Sequence, residues 1–288
     1  MRVAAMTTFN PDLERLDVNL RAIAGQFDHI YIWDNGSENF NDVQKACQQY
    51  NNVVSVETNG RNIGVAAALN VLLSHGADIG AEWILLLDQD SIPPEDLFEG
   101  LVKHAAADIA IISPRISDIN RNESVVDGPE VEEFMWPITS GSLLNVKIWE
   151  SLGGFDEKLF IDFVDDEYSI RVFLAGYHSI RVNSIVLNHE IGHLKPVGIP
   201  FPHHENGGIV WRRAYSSGHS AMRHYYQVRN LTYLRKRYGK ELNQENISLP
   251  SVGKFIAHSL LFEPNKWENL IAMCNGRRDS KILVGTEK

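Results

Sequence analysis

The sequence predicts an α/β fold: a mixed, largely parallel sheet with helices on both faces, followed by a helical C-terminal extension. Three observations point there. Short apolar segments rich in branched residues alternate with segments of helical spacing through the first 113 residues. The connections at one end of those apolar segments are rich in Asp, Asn and Gly. The chain has 288 residues, 44 % of them hydrophobic, which is enough to bury a sizeable core.

Arg2–Thr7, His29–Trp33, Val53–Glu57, Trp83–Leu87 and Ile109–Ser113 read as strands. Between them, Leu13, Leu16, Leu20 and Ile23 recur at intervals of three and four, as do Ala66, Leu69, Leu73 and Ala77. Strand and helix repeated this way make a parallel sheet, and its ligand crevice lies at the carboxyl ends of the strands. Thr8-Phe9-Asn10, Asp34-Asn35-Gly36-Ser37, Asn59 to Asn62 and Asp88-Gln89-Asp90 occupy those ends. From 114 to 210 the alternation breaks down: Trp136 to Leu144 is extended and enters a turn, Asp162 to Glu167 opens a helix ending near Gly176, and Val182–Leu187 is a strand followed by His189. Beyond Trp211 a long helical pattern begins, with Gly239 as its expected stop. The expected division is a domain over 1–210, in halves 1–113 and 114–210, and a mainly helical extension over 211–288.

Composition excludes several classes. No apolar run reaches the roughly 20 residues of a membrane-spanning helix, and no secretory leader is legible at the N-terminus, so a cytoplasmic protein is expected. Cys47 and Cys274 are too few for a disulfide framework or a thiolate metal site. A net charge of −10 argues against nucleic acid as a partner. That total is uneven: residues 211–288 hold 14 of the 27 basic and 6 of the 37 acidic residues, a balance of +8 against −18 for residues 1–210.

Asp88 and Asp90 follow an apolar strand with one residue between them, a placement that lets two carboxylates share a hard cation such as Mg²⁺ or Mn²⁺; capping of the next helix is the bland reading of the same residues. Asp34 sits in a turn that needs no function to explain it, and equally offers an acceptor to a base or ribose. Gly60-Arg61-Asn62-Ile63-Gly64 is either a plain strand-to-helix connection or a place where Arg61 and a helix N-terminus meet a phosphate. Asp162, Asp165, Asp166 and Glu167 cannot all face one site, since neighbours on a helix diverge; one of them can act as a general base. His189-Glu190-x-x-His193 spells a zinc-hydrolase motif, but that motif requires a helix. A strand leads into His189, and Gly192, Pro196 and Gly198 leave too little room for one, so the zinc hydrolase is a minority reading.

Together these segments resemble the inverting family 2 glycosyltransferases of GT-A fold, most closely the bacterial rhamnosyltransferase branch. The resemblance runs from Val3 to about Tyr238 and is carried by Thr-Phe-Asn-Pro (8–11), Trp-Asp-Asn-Gly-Ser (33–37), Asn-Ile-Gly-Val-Ala-Ala-Ala-Leu-Asn (62–70), Leu-Asp-Gln-Asp-Ser (87–91), Ser-Gly-Ser (140–142), Gly-Gly-Phe-Asp (153–156), the segment from Phe160 to Arg171, and Tyr-Tyr-Gln-Val-Arg-Asn (225–230). It implies a nucleotide-sugar donor across the strand ends, making 1–113 the nucleotide-binding half and 114–210 the acceptor and catalytic half. Thr8 and Asp34 match positions that hold the base, and Arg61 and Asn62 lie by the ribose or phosphate. Asp88 and Asp90 match the metal and nucleotide motif, and His189 matches a position that completes the metal site. The family's Glu-Asp pair is Val164-Asp165 here, which leaves Asp165 as the base and Asp162 as its competitor. Ser140 and Gly141 fall on the acceptor side, with Trp136 a sugar platform or a core residue. The branch implies dTDP-L-rhamnose as donor and a growing surface polysaccharide, O-antigen-like and carried on a polyprenyl diphosphate, as acceptor. The basic C-terminal segment would then meet the membrane surface. A non-catalytic nucleotide-sugar-binding module is the third reading.

Overall fold

The computed structural model describes residues 1–118, 128–189, 195–205 and 208–285. The chain forms two compact units, one of Met1–Phe160 with Val164–Glu190, the other of Ile161–Phe163 with Ile191–Lys288. Among the described residues, β9 (Lys195–Glu205) and β10 (Gly208–Ser216) pair with each other and not with the large sheet.

In the first unit, β1 (Val3–Thr8), β2 (His29–Asp34), β3 (Val54–Thr58) and β4 (Trp83–Asp88) are parallel, in the order β3-β2-β1-β4. The sheet continues through β7 (Leu143–Asn145), β5 (Ile109–Asp118), β8 (His178–His189) and β6 (Val131–Glu133), with β7 and β6 running against the rest. Both faces are covered, and the period-two alternation of the strands shows how. Ala4, Met6, Ile30, Ile32, Leu85 and Leu87 share one core with residues of α1 (Leu13–Ile23) and α2 (Phe40–Gln48). Their sequence neighbours Val3 and Ile84 turn the other way, toward Gly76 of α3 (Val65–Asp78). α1 starts where Asp12 accepts from the backbone N–H of Glu14 and Arg15, both at 3.0 Å. The strand order reverses between β1 and β4, so the crevice opens there, beyond Thr8 and Asp88.

Two short helices, α4 (Leu97–Val102) and α5 (Val146–Ser151), lie beside the sheet, and α6 (Val164–Leu174) carries the acidic segment. The second unit holds the β9–β10 hairpin and three helices, α7 (Ala221–Gln244), α8 (Val252–Phe262) and α9 (Lys266–Gly285). Residues 211–216 are thus strand, not the start of the helix, and α7 runs through Gly239 to Gln244. Gly239 is no stop because nothing there turns the backbone; the chain leaves the helix later, at Asn246 with φ +58°.

Candidate active site

Register brings the sequence-predicted residues of the strand ends together: Thr8 pairs with Asp34, Asp34 with Thr58, and Thr7 with Asp88. Asp34 is fully buried. Its carboxylate accepts from Thr8 Oγ1 at 3.0 Å, from the N–H of Gly36 at 3.1 Å and Ser37 at 2.8 Å, and from Ser37 Oγ at 2.5 Å. Four donors from the chain occupy it, so here Asp34 holds the turn rather than offering a vacant acceptor. Ser37 Oγ in turn accepts from the N–H of Asn10 at 2.7 Å.

Asn35 ties this turn to the next loop. Its Oδ1 accepts from the N–H of Ile63 at 2.8 Å and its Nδ2 donates to the carbonyl of Gly64 at 3.2 Å. Arg61 and Asn62 are exposed on that loop, Asn62 Oδ1 accepting from the N–H of Gly64 at 3.0 Å. The first N–H of α3, from Val65, donates to the Phe160 carbonyl at 2.7 Å. One N–H of that helix end is therefore taken by the chain, while the Arg61 side chain stays exposed on the loop. Gly64 has φ +86° and ψ 166°, a conformation close to glycine-only.

Asp88 and Asp90 are both partly exposed at the end of β4. Between them Gln89 Oε1 accepts from the N–H of Phe9 at 2.9 Å, locking the β4 loop to the β1 loop. Ser140 Oγ accepts from the N–H of Asp88 at 3.3 Å and lies 2.7 Å from Ser91 Oγ. Gly141 donates its N–H to Leu86 at 2.8 Å, and a Cβ there would come within 2.5 Å of Leu187. The Ser140–Gly141 turn thus sits directly on the aspartate loop. A bridge between Ile92 and Asn188 places the end of β8, and the backbone of His189, beside the same loop. The two carboxylates are hard oxygen donors, and Asp90 makes no hydrogen bond or ion pair with the described residues, so the pair fits a divalent cation of the Mg²⁺ or Mn²⁺ kind. Among the described residues no three His, Cys, Asp or Glu side chains cluster as a complete metal site. Glu190 and His193 of the zinc-hydrolase motif lie outside the described residues; His189 ends a strand, where the motif needs a helix.

Asp165 is in the first turn of α6 and lines a small cavity with Pro137, Thr139, Ser142, Phe155 and Tyr168. It shares that space with the segment running into Ser140 and Gly141, while Trp136, one residue before Pro137, is partly buried in an irregular stretch. Burial pushes the Tyr168 phenol above its ordinary range, and its hydroxyl has no partner among the described residues. Glu167, buried, pairs with Arg171, which also donates to the carbonyls of Leu152 at 2.7 Å and Gly154 at 2.6 Å. This anchors α6 to the Gly153-Gly154 turn.

Asp162 belongs to the second unit. Arg223 grips its carboxylate through Nε, 3.2 Å from each oxygen, and through NH2 at 3.0 Å from Oδ1. Asp162 and Phe163 are both left-handed, with φ +64° and +63°. The fully buried Asn230 donates to the carbonyls of Ile161 and Asp162, each at 2.8 Å, and accepts from Arg229 at 2.9 Å. The Arg-Asn pair in the sequence is therefore a clamp on this turn. Sequence reading missed Asn35, Gln89 and the clamp; the only local signal for the first two was a polar side chain inside an otherwise carboxylate-and-glycine loop.

The model of the family described as glycosyl transferase family 2 matches residues 4–157, just over half of the chain. The chain belongs to that family. Over 259 residues it is 26 % identical to the dTDP-rhamnosyl transferase RfbF of Shigella flexneri, spanning 81 % of this chain and 79 % of that protein. Among solved structures, the mannosyltransferase PcManGT of Pyrobaculum calidifontis, in complex with GDP-Man and Mn²⁺, is similar with a TM-score of 0.54 at 16 % identity, over 100 % of this chain and 76 % of that one. TarS 1–349 of S. aureus, in complex with UDP-GlcNAc, has a TM-score of 0.57 at 14 % identity, over 97 % and 80 %. The mixed, largely parallel sheet is accordingly a GT-A fold, and the protein is a glycosyltransferase.

Proposed function

We propose that this glycosyltransferase moves L-rhamnose from dTDP-L-rhamnose, with inversion, to a hydroxyl of a growing bacterial surface polysaccharide, O-antigen-like and carried on a polyprenyl diphosphate. The observation that carries the reading is the meeting, at one sheet edge, of the Thr8–Asp34 turn, the Asp88-Gln89-Asp90 loop and the Ser140–Gly141 turn. The likeness to a dTDP-rhamnosyl transferase over most of both chains supports the donor.

The nucleotide lies across the ends of β1, β2 and β4, with its base against the turn that Asp34 and Thr8 hold, and Arg61 and Asn62 toward the ribose and phosphates. Asp88 and Asp90, with His189 as the third ligand the resemblance implies, would hold Mg²⁺ or Mn²⁺, which when bound would offset negative charge on the diphosphate leaving group. Asp165 takes the proton from the acceptor hydroxyl, whose oxygen attacks the anomeric carbon from the face opposite the diphosphate; the C–O bond to the diphosphate breaks and the nucleotide leaves as the diphosphate. Ser140, Gly141 and Trp136 border the acceptor, and holding both substrates in line supplies much of the acceleration. Asp162 is gripped by Arg223, which supports Asp165 as the base.

Substituting each acid tests this. Asp165→Asn should lower kcat by about 10²–10⁴-fold, the usual contribution of a positioned base, with dTDP affinity by calorimetry unchanged. Asp162→Asn should leave turnover much closer to the parent value. Turnover retained in Asp165→Asn and lost in Asp162→Asn would reverse the assignment.

A further inference from the structure

We propose that the outer face of α9 is a docking surface for an anionic lipid bilayer. One side of this helix is buried: Asn269, Met273, Gly276 and Ser280 face inward, and a Cβ at Gly276 would collide with the carbonyl of Tyr225 in α7, so the two helices touch along their backbones. The opposite side carries Trp267, Ile271, Cys274, Arg278 and Ile282, which at helical spacing fall within about 80° of arc. Trp267 is 78 % exposed, Ile271 61 % and Ile282 66 %. Leu261 at the end of α8 is 65 % exposed as well, and Lys266 Nζ reaches its carbonyl at 3.4 Å.

A stripe of Trp and Ile left in water on a helix whose other side is packed needs a cover, and charge selects which. Lys266, Arg277 and Lys281 lie along one flank of the stripe, with Glu268 alone on the other; Arg278, at its centre, is paired at 2.9 Å with Asp279, which also accepts from Tyr225 at 3.1 Å. Across a two-fold contact between copies those cations would meet each other, whereas a phosphatidylglycerol surface pairs with them while Trp267, Ile271 and Ile282 enter the headgroup boundary. No helix among the described residues is long and apolar enough to cross a membrane, so contact of this kind is in-plane. The surface depends on the proposed lipid-linked acceptor only for its purpose, and vesicle binding is measured without donor or acceptor, so failure of the transfer reading leaves the result intact.

The full chain should co-sediment with vesicles of equimolar phosphatidylglycerol and phosphatidylcholine and not with phosphatidylcholine alone. Trp267→Ser with Ile271→Ser should lower the partition coefficient at least about tenfold, and Lys281→Gln about fivefold at low salt. Ile282→Ser, near the far end of the helix, serves as the second apolar probe should the double variant lose its cooperative urea transition. Parent-like binding by the folded variants overturns the proposal. So does a parent chain that light scattering shows to be a dimer and that these substitutions convert to a monomer.

Discussion

Gly64→Ala is the substitution whose cost the structure specifies most fully. At φ +86° and ψ 166°, Gly64 occupies a region that side chains pay about 1–3 kcal/mol to enter. An added Cβ would also lie 2.7 Å from the Phe160 carbonyl oxygen and 2.9 Å from its Cα, both backbone atoms that cannot swing aside. Relieving the contact lengthens the 2.7 Å hydrogen bond from Val65 to that oxygen, which forfeits roughly another 1 kcal/mol. The sum is about 2–4 kcal/mol. Gly80→Ala is the matched control: its φ of +78° is also positive, but nothing lies within 4 Å of the new Cβ, so the cost should be only about 1–2 kcal/mol. Urea unfolding of the full chain, followed by tryptophan fluorescence, measures both, and dTDP binding by calorimetry should weaken only in Gly64→Ala, because Asn35 and Asn62 both hold this loop through Gly64. Equal midpoints for the two variants would refute the argument that the backbone of Phe160 constrains the loop.

Two further outcomes are expected. Asn230→Ala removes both hydrogen bonds that clamp Ile161 and Asp162, at a cost of about 2–3 kcal/mol. It should lower kcat more than it raises the donor KM, since the freed residues lead into α6; steady-state kinetics at saturating donor separates the two. Burial lowers the affinity of His219 and His224 for protons, with Arg223 adding to the effect at both. The unfolded chain then binds protons more readily than the folded one, so the stability these histidines give is complete above pH about 6.5 and falls as pH drops below it. Chemical denaturation across that range should show the slope, and His219→Gln with His224→Gln should flatten it.

Much of the architecture was legible because it is local. The first four strands were placed within a residue or two, the sequence stopping short at Trp33 and Leu87 because Asp34 and Asp88, read as loop, still pair with their neighbours. β7 was hidden for the opposite reason: three residues carry no period, and their insertion between β4 and β5 is set wholly by distant partners. The same division runs through the site. Asp88 and Asp90 were visible as carboxylates at a strand end and Ser140 through the family resemblance, and hydrogen bonds of Ser140 with Asp88 and Ser91 join the two turns. The saturation of Asp34 was not visible, since one of its donors, Thr8, is 26 residues away. Nor was the ion pair that Asp162 makes with Arg223. The family resemblance left Asp162 and Asp165 as competitors, whereas two consecutive left-handed residues and the ion pair with Arg223, 61 residues on, lie beyond any local pattern.

Transfer is measured most directly by the release of nucleoside diphosphate from a panel of nucleotide sugars in the presence of a polyprenyl-diphosphate-linked saccharide, with Mg²⁺ or Mn²⁺ supplied or chelated. The expected result is release of dTDP from dTDP-L-rhamnose that needs acceptor and cation together, a product with inverted anomeric configuration by NMR, and loss of the signal in Asp165→Asn. Acceptor-dependent release from a different nucleotide sugar with none from dTDP-L-rhamnose, or a product that retains the anomeric configuration, would contradict it.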